Sequence, residues 1–222
     1  MRRMKGANTA VLHYYCTDSD LVELQYNSIK PLNITAGVDM GQIYKEISDK
    51  HKQFIAEQKI FFVGTATSDS RVSVSPKGMD TLRVLNNNRV VWLNLTGSGN
   101  ETSAHVQQNP RMTIMFCSFE GAPLILRLYG QARVFHHNDA EWEALYSIFA
   151  PIPGARQIFD LNIDLVQTSC GFGVPYYSYI GERDSLNEWA IKKGDDGLKK
   201  YWEDKNQASI DQIPTNIVAK NL

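Results

Sequence analysis

Two short stretches carry residue types and spacings that could do chemistry. The first is Ser75-Pro76-Lys77-Gly78. It sets an ammonium group at the end of an alternating strand pattern, beside a residue that lets a neighbouring group approach closely. A lysine so placed can serve a phosphate or an electron-rich ring edge, although an isolated motif of this kind is more often a solvated turn. The second is the run from Asn94 to Ser103, reading NLTGSGNETS, just ahead of a helical pattern. The first turn of a helix leaves backbone N–H groups unpaired and carries positive partial charge, so a phosphate is the natural guest. Gly97-Ser98-Gly99 lacks the Gly-Lys-Ser/Thr of a nucleotide-triphosphate loop. It also lacks the third glycine and the parallel βαβ context of a dinucleotide fingerprint. Taken together, the loop and Lys77 point to an anionic ligand; taken singly, neither does.

Other candidates are weaker. His136 and His137 are adjacent, so in a strand they point to opposite faces, and no carboxylate or cysteine stands at ligand spacing; they read as ordinary surface histidines. His105, one turn into the short helix, reads as a packed histidine. No Ser or Cys occupies a nucleophile elbow. Trp142 and Tyr146 fall on one helical stripe and read as core. Cys16, Cys117 and Cys170 stand far apart, which argues against a zinc site or a disulfide framework and fits a reducing, cytoplasmic setting. A formal net charge of −1 gives no polybasic surface for nucleic acid. No apolar run approaches the ~20 residues that span a bilayer, and the start of the chain has no apolar signal core. The Asn-X-Thr triplets at Asn33, Asn94 and Asn100 are therefore read as chance matches.

The elements that must position the two stretches follow from periodicity. Residues 1–39 show no sustained period and read as an arm, either dispensable, with Met40 as an alternative start, or packed across the body. Ile43, Ile47, Phe54 and Ile55 recur at helical spacing. Strands are predicted over Ile60–Thr67, over Arg71–Ser75 as a half-buried strand with Val72 and Val74 on one face and Arg71, Ser73 and Ser75 on the other, around Leu82 and Val84, and over Arg89–Leu95. After a short helix over Ser98–Gln107 come strands over Arg111–Phe119 and Pro123–Phe135. A helix from Asn138 or Asp139 to Ile148 and a last strand over Arg156–Gln167 follow. The glycine-rich Cys170–Pro175 turn then leads to an interrupted helix over Ser185–Tyr201. Strands joined by tight turns pair with their sequence neighbours, so the sheet is predicted to be mainly antiparallel. About six such strands avoid exposed edges by closing into a barrel. The predicted organisation is an arm (1–39), a barrel domain (40–182) and a helical tail packed on it (183–222).

Val74-Ser-Pro-Lys-Gly78, the Asn94–Thr102 loop, and Val166–Pro175 occur in the order seen in the pyridoxamine 5′-phosphate oxidase-related, FMN-binding split-barrel family, which this chain resembles over roughly residues 42–179. The resemblance implies a mainly β (α+β) fold, a six-stranded antiparallel split β-barrel with short flanking helices. It also implies a homodimer with FMN in the clefts between subunits, and a small-molecule substrate. By motif position, Ser75 and Lys77 would meet the flavin or its phosphate. Asn94, Leu95 and Thr96 would lie along the ring and ribityl chain, and Ser98, Gly99, Thr102 and Ser103 would cradle the phosphate. The Cys170–Pro175 turn would come from the partner or close the rim. Two departures stand out. The oxidases carry an Arg-Lys pair at the start of the short helix, where this chain has Glu101-Thr102 or Thr102-Ser103, and their terminal arginine motif is replaced by Val218–Leu222. The resemblance therefore implies an FMN-dependent oxidoreductase for which pyridoxamine 5′-phosphate is a poor substrate. The rival is a non-catalytic protein that stores FMN or pyridoxal phosphate.

Overall fold

The computed structural model describes residues 41–222; the arm and the question of Met40 lie outside the described residues. Strand β1 (Ile43–Tyr44) comes first. It is followed by α1 (Asp49–Glu57) and by strands β2 (Phe61–Thr65), β3 (Ser73–Lys77), β4 (Leu82–Asn86) and β5 (Arg89–Leu95). Then come α2 (Glu101–Gln108), β6 (Arg111–Cys117), β7 (Ile125–Phe135), α3 (Trp142–Tyr146) and β8 (Ala155–Ser169). Helices α4 (Ser185–Lys205) and α5 (Ile217–Asn221) close the chain.

All pairings are antiparallel, in the order β3-β2-β6-β7-β8-β5-β4, with β1 added on β8. This is the expected mainly β fold, with eight strands rather than six once the two-residue β1 is counted. The ladder is not closed: β3 and β4 stand at its two ends, so the barrel is split between them. Curvature nonetheless brings distant strands together. Phe61 of β2 meets the Trp92 ring of β5 edge-on at 6.2 Å, although three strands lie between them in the ladder. Trp92 in turn stacks on Phe159 of β8 at 4.7 Å. Part of this bend comes from a bulge at Tyr129/Gly130 in the β7–β8 ladder. A Cβ on Gly130 would lie 2.0 Å from the Asn162 carbonyl oxygen, so only glycine fits there.

Strand β5 is buried along most of its length because both of its faces are covered. Val90 and Trp92 enter the barrel core with Phe61, Ile114, Leu128 and Phe159. Val91 and Leu93 join a second cluster outside the sheet with Trp142, Leu145 and Phe149. The stripe on α3 is thus core, as expected.

Three local expectations are corrected. Ile43 does not begin a helix: Ile43 and Tyr44 pair with Gln167 and Val166 of β8. The helix starts at Asp49, where Ser48 and His51 form a reciprocal capping box. The second strand runs over Ser73–Lys77 rather than Arg71–Ser75, and it is inverted. Val72 and Val74 are 73% and 65% exposed, while Ser73, Ser75 and Lys77 turn inward. Alternation shows which residues share a face; it does not say which face looks inward, and here the inner face of an end strand borders a polar cavity instead of the core. Finally, His136 is not a surface residue: it is fully buried. The predicted interruption of the long helix is real and sits at Gly194, whose φ of 63° and ψ of 172° break α4.

Candidate functional site

Where the barrel is split, β3, the end of β5 and the loop into α2 enclose a cavity of about 500 Å³, within the range typical of small-ligand sites. Of the nine predicted site residues, eight border it: Ser75, Lys77, Asn94, Leu95, Thr96, Ser98, Gly99 and Thr102. The two stretches that suggested chemistry, some 20 residues apart in sequence, therefore do converge. Ser103 does not border it. Its hydroxyl is buried, donating to the Thr215 carbonyl at 3.3 Å and accepting from Gln157 Nε2 at 3.0 Å. It holds the floor beneath the site.

Asn94 is fixed from behind, its Nδ2 donating to Gln157 Oε1 at 3.1 Å. Gln157 Nε2 also contacts His136 Nε2 at 3.0 Å. Burial pulls the His136 imidazole down to about 4, outweighing nearby Asp139, so the ring is neutral and Nε2 is free to accept at ordinary pH. Thr96 is held by two elements: its hydroxyl donates to the Gly154 carbonyl at 2.7 Å and accepts from Trp202 Nε1 of α4 at 2.9 Å. Gly154 can present that carbonyl because its φ of 78° suits glycine and Ala190 packs against it.

Two cations face the cavity. Lys77 lies with Nζ 5.1 Å from the centre of the Trp92 ring. Burial, helped by repulsion from Arg156, lowers its ammonium from the usual 10.5 to about 8. Arg156 was missed from the sequence, where it reads as the first residue of a strand. Asn94 pairs with Gln157 and Leu95 with Ala155, which leaves Arg156 as the extra residue of a bulge. Bulges re-aim a side chain in this way. The guanidinium is 4% exposed. Nη2 donates to the Gly99 carbonyl at 2.7 Å, and Nη1 donates to Asn206 Oδ1 at 2.7 Å and reaches the Gly97 carbonyl at 3.5 Å. Nε has no partner. Burial lowers even this group to about 9. A signal was available in the composition: Arg156 stands two residues after Gly154, near the head of a buried strand whose next residues are apolar or amide. Nothing local shows that the strand bulges there.

The start of α2 completes the arrangement. Asn100 occupies the cap position without a side-chain hydrogen bond to the helix, and Ser98 and Thr102 do not cap it either. Among the described residues, no backbone N–H from Gly97 to Ser103 finds a protein acceptor. The carboxylate of Glu101, which would repel an anion here, is engaged by the Ile210 N–H at 3.0 and 3.1 Å. The tail thus shapes the site, through Trp202, Asn206 and Ile210.

A second hollow of about 1140 Å³ adjoins the first and shares Pro76, Lys77, Gly78, Met79 and Leu186 with it. Phe119, Tyr177, Tyr179 and Ile180 give it an apolar character. The Cys170–Pro175 turn borders neither space. Among the described residues no group of histidine, cysteine and carboxylate side chains could hold a metal ion, and no helix is long and apolar enough to cross a membrane.

Comparison with known proteins is decisive at the level of family. The pyridoxamine 5′-phosphate oxidase family matches residues 47–170. The chain belongs to that family. It is 32% identical over 195 residues to the pyridoxamine 5′-phosphate oxidase family protein ustO of Aspergillus flavus, covering 79% of this chain and 78% of that protein. Among solved structures, similarity extends to a pyridoxamine 5′-phosphate oxidase-related, FMN-binding protein of Nostoc punctiforme. It shows 13% identity and a TM-score of 0.39, over 50% of this chain and 73% of that one. The heme storage protein HutZ of Vibrio cholerae is similar at 17% identity and a TM-score of 0.40, over 54% of this chain and 92% of that one.

Proposed function

We propose that this member of the pyridoxamine 5′-phosphate oxidase family is an FMN-dependent oxidoreductase acting on a small molecule. The observation that carries the cofactor is the convergence of Lys77, Asn94, Thr96 and the uncapped start of α2 around one cavity that offers positive charge, while the Glu101 carboxylate at its border is engaged by the Ile210 N–H. The residues fit the group: a run of N–H groups suits one phosphate, and the Asn94–Thr96 edge suits a ribityl chain and ring. Bound FMN supplies the hydride or electron transfer.

The chain's own residues bind and orient. Lys77, lying against Trp92, places positive charge beside the ring position and raises its electron affinity. Gln157 and neutral His136 keep the Asn94 amide in one orientation. Trp202 covers Thr96 and keeps water from that wall. The adjoining apolar hollow receives the substrate, so a molecule with an aromatic or aliphatic body is favoured over a second phosphate ester. The exposed Val72, just before β3, and Val74 on it suit an isologous partner, which would make the working unit a homodimer.

The purified protein should release FMN when denatured, and light scattering should give twice the chain mass. FAD as the bound flavin, or no flavin binding on titration, would overturn the reading. Turnover of the bound flavin by a chemical or nicotinamide reductant and a small-molecule acceptor separates the oxidoreductase from a protein that only stores FMN or pyridoxal phosphate.

A further inference from the structure

We propose that Arg156, delivered by the bulge of β8 beneath the Gly97–Asn100 loop, is the cation that neutralises the ligand's phosphate monoester, in place of basic residues at the start of α2. The inference rests on the reading that the cavity holds a phosphorylated cofactor.

A guanidinium taken out of water is expensive unless it is paired, typically by several kcal/mol. Arg156 is 4% exposed and makes no ion pair among the described residues. Its neutral acceptors, the Gly97 and Gly99 carbonyls and Asn206 Oδ1, satisfy hydrogen bonds without supplying negative charge. An anion entering the cavity would supply it.

Geometry separates two roles on the one side chain. The Nη1 and Nη2 groups brace the loop through its carbonyls. Nε, on the remaining edge, is itself buried and has no partner, in a residue that borders the cavity. The same protein shows what that edge does with an oxyanion. Arg89 grips Asp160 with Nε to Oδ1 at 2.9 Å and Nη2 to Oδ2 at 2.8 Å. Planar oxyanion recognition by this fork is the usual reason to use arginine rather than lysine. Lys77 borders the same cavity from the β3 wall, with its ammonium over Trp92 rather than beneath the Gly97–Asn100 loop. The Glu101 carboxylate also borders the cavity, but it accepts the Ile210 N–H, which offsets part of the charge that would oppose a phosphate. Arg156 thus supplies, from a strand, the charge that the start of α2 lacks.

A purely bracing arginine would give the same fold but a different response, and the test exploits that. The full 222-residue chain, freed of ligand, is titrated with FMN and riboflavin, and with pyridoxal phosphate and pyridoxal. Wild type should prefer FMN to riboflavin by on the order of 100-fold, the size expected for a well-placed charged contact. Arg156→Met should lose about that factor for FMN while riboflavin affinity stays within about threefold; Arg156→Lys, which keeps charge but not the fork, should fall between. Equal losses for both flavins would make Arg156 a brace and overturn the proposal, as would an unchanged preference. If wild type shows no preference for FMN but an Arg156-dependent preference for pyridoxal phosphate over pyridoxal, the phosphate clamp stands and the FMN reading falls. Should neither variant fold, the Arg156 Nε–H resonance of wild type decides: a downfield shift with FMN and none with riboflavin supports the clamp, and no shift with either phosphate ester overturns it.

Discussion

Strand β8 carries two buried charges four positions apart, and they are treated in opposite ways. Asp160, 4% exposed, accepts both prongs of the Arg89 fork and a third contact from Arg133 at 3.4 Å. Arg156 is equally buried and meets only neutral acceptors. Asp160 sits in regular ladder, opposite Arg133 of β7 and Val91 of β5, so charged neighbours arrive through strand pairing. Arg156 sits in a bulge with no residue of β5 opposite it. The ladder completes one charge within the protein, and the bulge leaves the other facing a cavity. A structural ion pair and a ligand-directed charge thus differ less in burial than in whether the fold supplies the counter-ion.

That contrast can be tested at several points. The largest effect should come from Asp160→Asn, which strips the carboxylate from two arginines. Because both arginines are partly exposed and can rehydrate, the cost should be about 2 kcal/mol rather than the larger figure for a fully buried pair, read as a lower denaturation midpoint. FMN affinity should not change; a large loss of binding would show that the two charges on β8 are coupled after all.

Lys77 gives the next largest effect, through pH. Its folded-state value of about 8 lies below the usual 10.5, so the unfolded chain holds the extra proton between those values. Stability of the ligand-free protein should therefore rise with pH from about 8 to 10.5. Over the same interval FMN affinity should fall, roughly tenfold, as the ammonium is lost. Lys77→Met should abolish both opposed trends in denaturation and titration curves. Parallel trends in the wild type would mean that Lys77 does not face the anion.

Thr102→Glu brings a carboxylate to the first turn of α2 inside the cavity. It should weaken FMN by about tenfold while leaving riboflavin nearly unaffected, a like-charge effect of about 1.4 kcal/mol. The smallest change is expected for Ser103→Ala. Losing the buried hydroxyl that holds Gln157 and Thr215 should cost about 1 kcal/mol of stability with FMN affinity retained. A selective loss of FMN binding instead would return Ser103 to the site.

The amino-acid sequence by itself determined most of the strands, the antiparallel character of the sheet and the two stretches that meet at the cavity. Each of these depends on local signals: alternation, turn residues, and polar residues before a helix. The pairings β2 with β6 and β5 with β8 join residues far apart in the chain, and only the folded sheet decides them. The same holds for the inward turn of Ser73, Ser75 and Lys77. Their alternation with Val74 is symmetric until a neighbouring surface makes one side of the strand the inside. Arg156 is the sharpest case. Its role depends on a one-residue mismatch between β5 and β8, on the Gly97 and Gly99 carbonyls, and on Asn206, which arrives from the tail. None of these is a neighbour in sequence, so the uncompensated charge exists only once tertiary packing has brought them together.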